Sequence, residues 1–306
     1  WACMPSKALL RPGEALAAVR RVHGAQAAVT GAIDVEEVLR RRDALANNWD
    51  DSGQVQWLES VNADLVRGHA RLAGERTVIV NTKDSGNRTL RARRAVVVAT
   101  GSSAAIPQIE GLAEAGYWDS RQVTTAKEVP GRLIVLGGGV VGVEMAQAWY
   151  TLGAREVTII EAQDRLLPLE EPFAGEILEK AFSELGIKVI TGTRITKVQR
   201  NGVNGLVAAT LEDGTNLIGD QILVAVGRSP LTVDLGMETV GLEPGKYISV
   251  DDHLRATDIP GGWLYAAGDV NGRSLLTHMG KYQARIVGDV ILGKESTAWA
   301  DNVGAP

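Results

Sequence analysis

Two periods of apolar and polar positions run through this chain, and most of its elements follow from them. Leu133–Leu136 and Val157–Ile160 are unbroken apolar runs, the pattern of strands buried on both faces. Between them Val143, Met145, Ala146 and Trp149 fall at helical spacing. A longer amphipathic helix is predicted over Glu171–Leu185; Gly186 ends it, and a strand follows at Lys188–Thr191. Ile195–Gln199, Gly205–Leu211 and Gln221–Val226 read as further strands. Nearer the start, Pro12–His23 and Asp34–Val61 carry Ala, Leu and Val three and four residues apart, which predicts helices. The Arg40–Arg42 run within the second reads as a solvated face. Ala63–Ala73, Thr77–Thr82 and Thr89–Arg91 read as short strands around an Asp84-Ser85-Gly86-Asn87 turn, and Arg94–Ala99 as a buried strand. Trp263–Ala267 is predicted as a strand, and a helix from Leu275 to about Leu292. Strands that alternate with helices in this way make an α/β fold.

The connection after Leu136 adds chemistry to the pattern. Gly137, Gly139 and Gly142 have the G-x-G-x-x-G spacing, with Gly138, Val140 and Val141 filling the loop. Gly137 allows a tight turn, Gly139 lets a pyrophosphate approach, and Gly142 lets the helix pack on the strand. The helix start offers unpaired N–H groups and a positive dipole end to phosphate. Glu161 closes the second strand, where a carboxylate accepts both ribose hydroxyls of NAD and repels the 2′-phosphate of NADP. Arg165, four residues on, is the opposing feature, because a guanidinium there could pair with that phosphate. Strand, glycines, helix, second strand and terminal carboxylate in this order predict a dinucleotide site selective for NAD over NADP.

Composition narrows the class of protein without naming a chemistry. The 306 residues are enough for two domains, and a formal net charge of −5 gives no reason to expect nucleic acid or an anionic membrane as partner. No apolar stretch reaches the ~20 residues of a membrane span. The single cysteine rules out a disulfide within the chain as given, and the expected compartment is cytoplasmic. No Cys/His cluster has metal-ligand spacing, no nucleophile elbow is present, and no internal repeat is seen.

That cysteine stands in an informative context. Cys3-Met4-Pro5-Ser6-Lys7-Ala8-Leu9-Leu10 resembles the redox segment, C-x4-C-x-P-S-K, of the flavin-dependent pyridine nucleotide–disulfide oxidoreductases, a family that includes dihydrolipoamide dehydrogenase and mercuric reductase. Outside that context Cys3 would read as a small buried cysteine. The resemblance makes it the flavin-side cysteine of a redox pair, and a helix starting near Pro5 and Ser6 points its positive end at it. The resemblance also places Lys7 beside the flavin, paired with Glu144.

Four more segments match the same family in order. Ala99-Thr100-Gly101-Ser102 resembles its A-T-G-S passage by the FAD, although Pro107 comes later than usual. Ala225-Val226-Gly227-Arg228-Ser229-Pro230 resembles its return from the NAD domain. Gly268-Asp269 resembles the second FAD signature, whose aspartate accepts from the ribityl hydroxyls, and Thr277 opens a helix aimed at the flavin pyrimidine. Val198 matches a position on the adenine side of NAD, with a core valine equally open.

The resemblance implies two nested Rossmann-like domains, the FAD domain incomplete. Their expected extents are 1–117 for part of the FAD domain, 118–227 for the NAD domain, 228–293 for the return to the FAD domain, and 294–306 for the start of an interface domain. It further implies a first redox cysteine and an FAD glycine loop upstream of Trp1, and a C-terminal dimer domain supplying an acid/base. The chain is thus read as a fragment of a homodimeric enzyme. The expected activity is hydride transfer between NADH and FAD and on to a cysteine pair, with a small or protein-bound disulfide as substrate. A flavin-dependent NAD(P)H oxidase or transhydrogenase without a disulfide, and a nucleotide-binding fragment with no turnover, stay open as alternatives.

Overall fold

The computed structural model describes residues 3–84, 86–202 and 205–298, and its backbone contacts divide the chain into two units. One holds residues 1–51 and 104–227, the other 52–103 and 228–306. The contact division therefore groups the N-terminal helices with the glycine-loop domain, whereas the extents expected from the sequence follow cofactor ownership. The expected interface segment, 294–306, lies outside the described residues from Trp299 onward.

In the first unit four parallel strands lie in the order Gln221–Val224, Arg132–Leu136, Glu156–Ile160, Lys188–Ile190. Apolar side chains cover both faces. Leu133, Val135, Val157 and Ile159 point to one core with Trp149 and Phe182, while Ile134, Leu136, Ile160 and Ile222 point to another with Val198 and Val207. This period-two split is why the strands read as continuous apolar runs. The helices Val140–Thr151 and Pro172–Leu185 complete the α/β pattern. Asp220 ties the edge strand to its neighbour by accepting from the Arg132 backbone N–H at 2.7 Å and guanidinium at 2.9 Å, and these bonds hold its carboxyl below the usual range. A three-stranded antiparallel sheet, Asn216–Gly219, Val207–Leu211 and Ile195–Arg200, adjoins this domain.

The N-terminal segment forms a single helix, Cys3–Arg20, rather than separate starts near Pro5 and Pro12. Pro12 cannot donate to the Ala8 carbonyl. Arg41 does so instead, at 3.4 Å, and Ala8, Leu9 and Leu10 are buried. The expected helix over Asp34–Val61 breaks in two, Val35–Leu45 and Ser52–Ser60, because Asn47, Asn48 and Trp49 all take positive φ. The break adjoins the boundary between the units. The Arg40–Arg42 expectation needs correction: Arg42 is 0% exposed, donating to the Ala126 carbonyl at 2.6 Å and pairing with Asp43 at 2.8 Å.

The second unit contains an antiparallel meander, His69–Leu72, Thr77–Thr82 and Gly86–Arg91. The first strand is shorter than expected, and the turn residue Ser85 lies outside the described residues. Val96–Val98 pairs in parallel with Leu264–Ala266, and the helix Thr277–Ile291 packs its buried Ile286, Val287 and Val290 with Tyr265 and Ala267. Among the described residues no helix is long and apolar enough to cross a membrane.

Candidate functional site

The glycine loop has little freedom to be anything but glycine. Gly137 turns the chain at φ 109°, and a Cβ there would lie 2.5 Å from the Ala225 carbonyl oxygen. A Cβ on Gly142 would lie 1.9 Å from the Gly137 oxygen, so this position lets helix and turn touch. Gly139 differs, since a Cβ there meets nothing within 4 Å. It is the N-cap of Val140–Thr151, no side chain caps that helix, and Val140 and Val141 are exposed in its first turn. An open, uncapped helix start beside a glycine fits a pyrophosphate.

Glu161 is buried at the end of its strand, and both its oxygens already hold backbone. Oε2 accepts from Gly138 N–H at 2.6 Å and Oε1 from Gln163 N–H at 2.8 Å. A carboxylate has about four acceptor positions, so room is left for a diol. Arg165 is committed elsewhere: its guanidinium donates to the carbonyls of Leu167, Glu170 and Pro168 at 3.0, 3.0 and 2.9 Å. Val198 is 0% exposed and packs in the core of this unit, so its side chain presents no surface to a ligand. Gly227, at the end of the same unit, accepts from Ala105 N–H at 2.9 Å.

Within this unit the helix Cys3–Arg20 buries Leu9 and Leu10 in the same core as Val143 and Trp149, and an ion pair adds to that packing. Lys7 Nζ lies 2.5 Å from Glu144 Oε1, although 137 positions separate them in the chain. Farther along the same two helices, a Cβ on Gly13 would lie 2.5 Å from Thr151 Oγ1. The helices Cys3–Arg20 and Val140–Thr151 thus run side by side for about two turns. Cys3 is exposed at the described start of the first, not buried.

Thr100, Gly101, Arg228, Asp269 and Thr277 belong to the second unit. Gly101 accepts from Leu231 N–H at 3.0 Å. Asp269 Oδ2 accepts from Ser102 Oγ at 2.5 Å; Ser102 in turn takes Arg228 Nε on its hydroxyl at 2.6 Å and Arg228 Nη2 on its carbonyl at 2.7 Å. Thr277 is the exposed first residue of a helix that no side chain caps. The sequence marks Ser102 only within the Ala99–Ser102 motif and does not mark Gln283, a buried residue whose Oε1 accepts from Gly268 N–H at 2.7 Å and Asn271 Nδ2 at 2.9 Å. Serine after glycine at a strand end was the only signal for the first, and nothing marked the second. Among the described residues no group of His, Cys, Asp and Glu could hold a metal ion.

A family model described as pyridine nucleotide-disulphide oxidoreductase matches residues 1–284. The chain is 32% identical over 296 residues to a mercuric reductase of Staphylococcus aureus, covering 95% of this chain and 52% of that protein. It is 34% identical over 301 residues to a dihydrolipoyl dehydrogenase of Chlorobaculum tepidum, covering 96% and 62%. Among solved structures it is similar to LpdA from Mycobacterium tuberculosis (TM-score 0.80, 29% identity, 97% of this chain and 64% of that one). It is similar also to the HOCl-induced flavoprotein disulfide reductase RclA from Escherichia coli (TM-score 0.81, 25% identity, 97% and 62%). The chain spans about half to three fifths of the curated relatives it matches. With its glycine loop, its Lys7–Glu144 pair and a family match over residues 1–284, the chain belongs to the pyridine nucleotide–disulphide oxidoreductase family.

Proposed function

We propose that the full-length protein carrying this chain is an FAD-dependent oxidoreductase that moves electron pairs between NADH and a disulfide. The observation that carries the reading is the Lys7–Glu144 pair, which attaches the cysteine-bearing helix to the helix that follows the glycine loop. When bound, FAD would supply a two-electron relay between NADH and a disulfide that includes Cys3. The protein's part is to hold and orient. Gly139, Val140 and Val141 offer backbone N–H groups to the NADH pyrophosphate. Glu161 accepts the ribose hydroxyls with its remaining lone pairs. Three carbonyls occupy the Arg165 guanidinium, which favours NAD over NADP. Lys7 keeps a cation, and Glu144 fixes its place, where a reduced flavin gains negative charge. On the other unit Thr100, Gly101, Arg228, Asp269 and the helix start at Thr277 take the flavin side, with Gly227 at the chain's crossing between units. This reading calls for a small or protein-bound disulfide as substrate and a homodimer as the working form.

The test is anaerobic titration of the full-length protein with NADH. Flavin absorbance should bleach and a long-wavelength thiolate-to-flavin band should rise, with Cys3→Ser abolishing the band. A reduced spectrum unchanged by that substitution would favour an oxidase or transhydrogenase instead.

A further inference from the structure

The segment after Glu161 is built differently from an ordinary surface loop. Residues 162–171 carry Leu166, which is 0% exposed, Leu167, which packs half-buried against the same core, and Leu169, which is 97% exposed, so apolar burial ends before the far part of the loop. Leu167 takes the left-handed region at φ 49°, a conformation unfavourable for leucine. Three hydrogen bonds from Arg165 hold the far part, reaching the carbonyls of Leu167, Pro168 and Glu170. The planar fork of a guanidinium suits this many-acceptor role, whereas an ammonium is a point donor.

The clasped loop in turn fixes Gly138. Leu167 N–H donates to the Gly138 carbonyl at 2.9 Å, and Glu161 Oε2 accepts the Gly138 N–H at 2.6 Å. The Leu166 side chain closes the remaining side, where a Cβ on Gly138 would lie 2.6 Å from Leu166 Cδ2. Gly138 immediately precedes the N-cap Gly139, so its peptide orientation sets the direction of the helix-start N–H groups.

We propose that Arg165 is a positioning residue for the pyridine nucleotide: by clasping 167–170 it holds Leu167 against Gly138 and so aims the glycine-loop amides at the pyrophosphate. The inference rests on the nucleotide reading of that loop. It replaces the opposing reading of Arg165, in which the guanidinium pairs with a 2′-phosphate. To do so it would have to leave three carbonyls unpaired.

The experiment compares Arg165→Met and Arg165→Lys with wild type in the full-length flavoprotein, following flavin reduction by NADH and NADPH in a stopped-flow instrument. Arg165→Met should raise the NADH concentration for half-maximal rate about tenfold, leaving the limiting rate within about twofold and the oxidised flavin spectrum unchanged. Arg165→Lys should recover part of the loss. An unchanged NADH half-saturation in Arg165→Met overturns the inference. So does a loss confined to NADPH, which would make Arg165 a phosphate ligand. Hydrogen exchange on the wild type gives a check independent of any variant's folding. NADH should slow exchange at 138–141 and 162–171 together; protection at 138–141 alone also overturns the inference. Wild-type flavin that neither nucleotide reduces overturns the functional reading itself, and this inference with it.

Discussion

Ser102 shows how much a single hydroxyl carries beside Asp269, on the side proposed for the flavin. It donates to Asp269 Oδ2 at 2.5 Å and accepts from Arg228 Nε at 2.6 Å, so it bridges a carboxylate and a cation whose own separation is 3.7 Å. Without the hydroxyl, Asp269 loses a hydrogen bond that fixes its rotamer, and Arg228 loses an acceptor. Hydrogen bonds to charged groups contribute about 1.5–3 kcal/mol, which corresponds to roughly ten- to a hundredfold in affinity if Asp269 can bond the flavin only in this orientation. Ser102→Ala in the full-length protein should therefore lose flavin on gel filtration, read as a falling ratio of flavin to protein absorbance. Ser102→Thr, which keeps the hydroxyl, should retain it. Equal retention by the alanine and threonine variants would show that Asp269 holds its orientation without help.

At the scale of elements, the helix Val35–Leu45 is held by charge as much as by apolar contact. Its Arg42 side chain is 0% exposed and reaches the Ala126 carbonyl, while Asp43 binds Arg42, Lys127 and the Trp49 indole N–H. Burial works against the charge on Asp43, yet the hydrogen bonds from Lys127, Arg42 and Trp49 outweigh it and hold its carboxyl below the usual range. Asp43→Asn leaves a buried guanidinium without its counter-charge and should cost about 3 kcal/mol in urea unfolding at pH 7. The sign of the pH dependence follows from the depressed value. Stability from the Asp43 charge is fully present above its ordinary value of 3.8 and is lost as pH falls through the lower folded-state value. The gap between wild type and Asp43→Asn should therefore narrow below about pH 4; a gap that stays constant down to pH 2.5 would assign the loss to shape rather than charge. These details were not legible in the chain. The apolar spacing lapses between Ala46 and Val55, where Asn47-Asn48 and Asp50-Asp51-Ser52-Gly53 are turn formers. The break therefore had a signal that the periodic stretches on either side obscured, whereas nothing in the sequence shows that one arginine of three faces inward. The strand Asn216–Gly219 was missed because four residues of mixed polarity at a sheet edge carry no period. The strands around the glycine loop were legible because both of their faces are buried. The glycine loop itself was legible because the steric demands at Gly137 and Gly142 exclude every other residue. Asp269 was placed by resemblance, but its hold by Ser102 was not, because 167 positions separate the two residues.

For the whole molecule, the two contact units divide the proposed chemistry. Glu161 and the glycine loop belong to the unit whose cores form around Trp149 and Ile222, whereas Asp269, Ser102 and Arg228 belong to the unit whose cores form around Trp263 and Ile286. Each residue's hydrogen-bond partners lie within its own unit: Gly138 and Gln163 for Glu161, Ser102 for Asp269. Residues that share no partners have nearly additive effects. Glu161→Ala should therefore weaken NADH binding by about tenfold or more, from the loss of charge-assisted bonds, and leave flavin content at the wild-type level. Asp269→Asn should lower flavin content and leave the NADH half-saturation of the flavin-loaded fraction unchanged. The double variant should show both losses at their single-variant sizes, measured by flavin absorbance and by stopped-flow reduction. A double variant whose NADH half-saturation departs several-fold from that of Glu161→Ala would mean that Glu161 and Asp269 are coupled. In that case the two units could not be treated as separate carriers of NADH and FAD.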